Sequence, residues 1–470
     1  MQAIILVHGI MGSKLQLGNE EIWPPSLGEI ISGRYGRIAK LRDPSAIATG
    51  ILYQYTSFYQ IYGPIINDID AIVAAQGGLR PDFFFDWRVD LLKSADHLAQ
   101  AIAKACSGPN PATEVTLVAH SMGGLVARLV LESGKYNSAK WFKKIRRLVA
   151  VCVPQVGAPL AVARALGLSG STTISPSDMK LIMNDDNFPA GFELFPAPPY
   201  RKSVLFDLSN GAWDIYAANT ATKFQLSRPN QLAALNSWSK LDINNKRPKG
   251  VEYISIAAHG LSTDNAFYFN DTTYVATTQV DGDGTVPYWS SSFGAVDKLY
   301  TLPGDHIGVM NTNAFRQTFS DIFGARMAIR SFTTDRPGVS ISSNKRDLQS
   351  GEKMEVLLIP DTRTTGLVGK LQIRKAAGAA DAKAVNLVSV GADVPVTYEG
   401  PPVASLPLMI AAPQAPGAYV LTFEGTHRSA NETSAAFFVS QASIAAPTAR
   451  PPKKVRKTPK PKSRKPMKTK

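Results

Sequence analysis

Ser121 carries the strongest chemical signal in the sequence. A strand is expected over Glu114–Ala119 and a helix through Leu125–Leu131, which puts Ser121 on the junction between them. Ala119 stands two residues before it and Gly123 two after. A nucleophilic serine on such an elbow needs small residues at both places, so that strand and helix can close around a strained, exposed hydroxyl. Without chemistry, the same residues would be no more than a small-residue turn.

A serine nucleophile also needs N–H donors aimed at the charge that develops on the carbonyl oxygen, each worth ~3 kcal/mol of barrier. The backbone N–H of Met122, at the helix start, is one candidate. Ile10, in the Gly-rich exit of the first strand (Ala3–Val7), offers the other. The six histidines allow elimination of all but one as the base. His8 lies in the oxyanion loop, His120 is expected to point away from the elbow, His97 sits in an amphipathic helix, and His427 falls near the C-terminus. After an elbow serine the partners follow as acid, then histidine. Asp283 lies between Ser121 and His306, so His306 completes that order and His259 does not. Asp281 is a neighbouring rival acid, and Asp305 adjoins the histidine. Asp281 and Asp283 would also begin a calcium loop, but Thr285–Pro287 supplies no further carboxylate, so no metal and no cofactor is expected. In the catalytic reading, Asp283 holds the His306 tautomer while His306 takes and returns the Ser121 proton.

These residues need a scaffold. Apolar runs at Ala3–Val7, Phe83–Phe85, Glu114–Ala119, Leu148–Val153 and Tyr253–Ala257 alternate with helical periodicity. That pattern predicts an α/β fold over 1–330, with a mostly parallel sheet covered on both faces. Between about 155 and 250 the periodicity breaks down among Pro, Asn, Ser and aromatics, which reads as a cap inserted over the active face. From 335 to 442, short strand-like runs between Gly and Pro turns predict an antiparallel β-sandwich module. Residues 443–470 are Lys/Pro-rich and expected to be disordered.

At 470 residues the chain is long enough for about three domains. The net charge of +14 is concentrated: eleven Lys and Arg and no acid fall in 450–470, leaving 40 basic against 37 acidic residues elsewhere. The high isoelectric point therefore describes a tail rather than a basic binding face. No apolar run reaches the ~18 residues of a membrane span, and Met1–Gly9 lacks the features of a secretory signal. Cys106 and Cys152 fit neither a disulfide framework nor zinc spacing. A cytoplasmic protein, peripheral to a membrane if the tail binds one, is the expectation.

Taken together, Val7–Leu15, Ile22–Pro24, Phe85–Arg88, Ala119–Gly124, Gly282–Pro287 and His306 resemble, in order, the lecithin:cholesterol acyltransferase-like branch of the α/β-hydrolases, which includes phospholipase A relatives. Phe188–Pro196 resembles a stretch of that family too. The resemblance spans roughly residues 3–320 and implies an acyl-serine intermediate on Ser121, with Asp283 as acid, His306 as base and donors near Ile10 and Met122. It further implies a lipid-type ester as substrate, with hydrolysis and transfer to an alcohol both open. Asp86, Trp87 and Arg88 read as bracing beneath the site. The alternative is a binding protein that keeps the hydrolase scaffold without catalysis. The tail at 446–470 suits an anionic membrane surface; with no aromatic residue among its charges, it is poorly suited to stacking on single-stranded nucleic acid.

Overall fold

Five strands, β1 (Gln2–Val7), β2 (Glu114–His120), β3 (Ile145–Val151), β4 (Glu252–His259) and β5 (Lys298–Pro303), lie side by side in that order. Every neighbouring pair is parallel. Alternation within β1 shows how both faces are covered: Ala3, Ile5 and Val7 join one apolar cluster, Ile4 and Leu6 the other. Helices α1 (Gly63–Gln76) and Asn313–Phe323 cover the second face; α2 (Leu91–Ala105) and α3 (Met122–Glu132) cover the first. This is the α/β architecture that the alternating pattern predicts. The computed structural model describes residues 1–56, 59–171, 173–241, 247–294, 296–325, 338–377, 386–425 and 433–440. His427, the boundary expected at 330–335 and the tail at 443–470 lie outside the described residues.

Phe83–Phe85 is not a strand. Its backbone is satisfied by side chains instead of a ladder: Phe85 N–H donates to His8 Nε2 at 3.2 Å, and Phe85 C=O accepts from Ser13 Oγ at 2.7 Å. Phe83 and Phe85 are buried and Phe84 is exposed, so the apolar triplet marks burial of two rings, not pairing. The stretch from 155 to 250 holds regular elements: α4 (Pro159–Leu166), α5 (Pro176–Met183), α6 (Ala218–Phe224) and α7 (Arg228–Lys240). Ser175 and Ser227 cap α5 and α7 by accepting from the N–H three residues on. α4, α5 and α6 are too short to give much periodic signal, and the buried side of α7 carries Asn230, Gln231 and Ser237 beside Ala234 and Trp238.

Beyond residue 338, Val339–Ser343, Lys353–Pro360 and Leu406–Ala411 form one antiparallel sheet. Thr364–Ala377, Gly417–Gly425 and Thr433–Ser440 build a second, and one apolar cluster joins the two. The pairing is not wholly antiparallel, because Asp347–Gln349 runs parallel to Phe438–Ser440. The module packs onto the parallel sheet's unit. The Phe438 ring lies tilted against that of Tyr59 at 5.5 Å, and Ala418, Ala436 and Phe438 share a cluster with Ile61, Ile65 and Phe319.

Candidate active site

The carboxyl edge of the parallel sheet concentrates backbone strain. Met11 lies in the loop after β1, Ser121 directly follows β2 and Cys152 directly follows β3; all three are non-glycine residues with φ between 50° and 61°. Strain held by surrounding structure at adjacent strand ends marks a place where side chains are aimed rather than merely packed. Ser121 itself has φ 54° and ψ −130°, and α3 begins immediately after it. The elbow tolerates no bulk. A Cβ on Gly123 would come within 2.2 Å of the Val7 carbonyl oxygen, and one on Gly9 within 2.8 Å of Ser121 Cβ. The loop after β1, which carries Ile10, therefore lies directly against the serine.

Ser121, Asp283 and His306 come together in the structure. His306 Nε2 lies 2.8 Å from Ser121 Oγ, and His306 Nδ1 lies 2.7 Å from Asp283 Oδ2. The loops that bear them are tied by their own backbone, since His306 N–H donates to Asp283 C=O at 3.0 Å. The Asp283 carboxylate accepts from the N–H groups of Thr285 and Val286 through Oδ1, which leaves Oδ2 for the imidazole. Asp281 turns elsewhere, accepting from Gly260 N–H with His259 alongside.

Several contacts around these groups were not legible in the sequence. His120 does not point away from the site; it is buried, with its ring 4.8 Å from that of His306. Its Nε2–H donates to the His306 carbonyl at 2.9 Å, and its Nδ1 accepts from Tyr62 O–H at 2.8 Å. Tyr62 Oη in turn accepts from Gly9 N–H at 2.7 Å. One chain of hydrogen bonds thus links the Ile10 loop to the histidine loop. Burial, helped by the nearby His306 and His8, holds His120 well below the usual histidine range, so it serves as a neutral bridge. Asp305 is buried and paired with Arg346 of the C-terminal module at 2.6 Å, while its Oδ1 also accepts from the N–H groups of Ile307 and Gly308. Burial pushes the Asp305 carboxyl up, but Arg346 and those N–H groups outweigh it and keep the group ionised.

Cys152, Asp283 and His306 offer ligand atoms within 4.8 Å of one another. Burial and the charge of Asp283 push the Cys152 thiol well up. The thiol therefore stays protonated beside Asp283.

Ile10, Ser121, Asp283 and His306 line a cavity of about 700 Å³, together with apolar side chains from α4 and the loops around it. Residues 343–352 of the C-terminal module close its far side. Met122 is buried at the start of α3. Asp86, Trp87 and Arg88 do not line the cavity. Arg88 pairs with Asp86 at 2.6 Å and donates to the carbonyls of Leu41, Asp43 and Ala46, while Trp87 packs edge-on against Trp23.

No curated protein matches the chain. Among solved structures, an uncharacterized protein from Bacillus anthracis str. Ames is 20% identical over 20% of this chain and 76% of that one, with a TM-score of 0.15. The sporulation control protein Spo0M from Bacillus subtilis is 14% identical over 23% of this chain and 50% of its own, at a TM-score of 0.16. A chitin binding domain from Burkholderia pseudomallei is 13% identical over 21% and 57%, also at 0.16. Likenesses this weak carry no argument. A family model described as lecithin:cholesterol acyltransferase matches residues 80–246, which hold Phe85–Arg88, the Ser121 elbow and Phe188–Pro196; Val7–Leu15, Ile22–Pro24, Gly282–Pro287 and His306 lie outside the matched stretch.

Proposed function

We propose that the chain is a serine-dependent ester hydrolase or O-acyltransferase of the α/β-hydrolase fold, acting on lipid-type esters. In this reading residues 1–330 form the catalytic domain with a cap at about 155–250, and 335–442 a separate β-sandwich domain. One observation carries it: a hydroxyl on a strained elbow lies 2.8 Å from an imidazole whose other nitrogen lies 2.7 Å from a buried carboxylate. Such geometry suits general-base attack. His306 Nε2 takes the Ser121 proton as Oγ adds to the ester carbonyl. The N–H groups of Ile10 and Met122 stabilise the oxyanion, and Asp283 steadies the imidazolium. His306 then returns the proton to the leaving alcohol, giving an acyl-serine that water or a second alcohol resolves by the reverse steps. The family match supports a lipid ester as substrate.

A fluorophosphonate probe is expected to label the native protein at Ser121 and to leave Ser121→Ala unlabelled; equal labelling of both, or of neither, rejects the reading. Vesicles that contain an alcohol acceptor then separate hydrolysis, seen as free fatty acid, from transfer, seen as a new ester. No described helix is long and apolar enough to cross a membrane. We assign the basic segment 446–470 the role of tethering the enzyme to an anionic bilayer. Vesicle binding that survives its deletion refutes that role.

A further inference from the structure

Three basic side chains line the cavity, and two are neutralised within it. Arg346 is paired with Asp305, and Lys345 with Glu352. Arg164, on α4, is different. Among the described residues its guanidinium makes no ion pair, and its Nε is shut off from solvent with no hydrogen-bond partner. Asp347 and Tyr55, which line the same cavity, are the polar groups whose fields reach it. Burial weakens the guanidinium's hold on its proton, and those two groups oppose this. A guanidinium carries five donors and no acceptor, and leaving even one of them unmet away from water is costly. Leu160 and Ala161, one turn earlier on the same helix, and Leu168 just beyond it line the same cavity and give the arginine an apolar surround.

We propose that Arg164 is an anion subsite, which receives the phosphate or carboxylate of an ester whose carbonyl sits at Ser121. The inference rests on the serine-ester reading above and deepens it. The enzyme is an esterase for anionic amphiphiles: the apolar wall takes the acyl chain, and Arg164 supplies a bidentate contact to the charged group.

Three substrates with one decanoyl chain test this: decanoylglycerol, decanoylglycerol 3-phosphate and decanoylglycerate. The native protein is expected to prefer at least one of the two charged esters over decanoylglycerol by about 10- to 100-fold in kcat/KM. In Arg164→Gln that preference should fall to within about twofold, with decanoylglycerol turnover and fluorophosphonate labelling unchanged. Which charged ester is favoured distinguishes phosphate from carboxylate. Native turnover without preference, or a preference that survives in Arg164→Gln, overturns the subsite. Calorimetry with dodecyl phosphate and dodecanoate, neither of which is an ester, reads the same contact without catalysis. Binding lost in Arg164→Gln upholds the subsite even if no ester is cleaved, and absent or unchanged binding rejects it. Failed probe labelling at Ser121, by contrast, condemns the serine-ester reading itself.

Discussion

The two halves of the candidate site are built on different plans. The nucleophile's half is mostly local: β2, the elbow and α3 lie within residues 114–132, and Gly123 lets α3 close on the end of β1. The histidine's half is assembled from afar. His306 is held through its carbonyl by a residue 186 positions away, and its neighbour Asp305 by an arginine of the other module. The nucleophile is prepared by one strand–helix unit set into the sheet between β1 and β3, whereas the base depends on contacts that exist only once the C-terminal module has folded too.

The contrast can be broken or sharpened by substitution. Gly123→Ala strikes the local half. Its methyl would overlap the Val7 carbonyl at 2.2 Å, so the fold should lose about 3 kcal/mol and ester turnover should fall about 100-fold, read by thermal melting and initial rates. A variant as stable and active as the native chain would show that the elbow has slack. Arg346→Met strikes the remote half. It strands the buried Asp305 carboxylate, and kcat should drop about tenfold with KM within about threefold. Asp305→Asn added to Arg346→Met should recover part of that rate, since no buried charge is then left unpaired; a purely structural pair would give equal losses in both variants.

The smallest effect concerns pH. Burial beside Asp90 pushes Glu193 up to about 8 despite its bonds to Ser237 and Leu91. Its folded value is raised, so its contribution to stability is complete below about 4.5 and is lost as pH rises through about 8. His8 works in the opposite sense. Burial lowers it to about 4, so its contribution is present above 6.5 and lost as pH falls through about 4. Denaturant midpoints across this range should show Glu193→Gln flattening the alkaline limb only. A change confined to the acid limb would refute the assignment.

What could be read from residues alone follows the same division. The strands around Ser121, the acid-then-histidine order and most strands of the C-terminal module have local signals: apolar runs, small residues at fixed spacing, turn residues between. His120 was misjudged because nothing near position 120 reveals that Tyr62 and the His306 carbonyl will flank it. Phe83–Phe85 misled because burial and pairing leave the same apolar mark. Arg164 and Arg346 could not have been singled out among 51 basic residues, since one is distinguished by a buried Nε without a partner among the described residues and the other by finding a distant one.

The seam between the two units has a practical consequence for anyone shortening the gene. A chain stopped ahead of Val339 would leave Tyr59 without Phe438 above it and Asp305 without its cation, beside an oily face at Ile61. Such a fragment should clump in solution and stay nearly inert towards esters even where its elbow serine still accepts a probe. Light scattering would report the first defect and turnover the second.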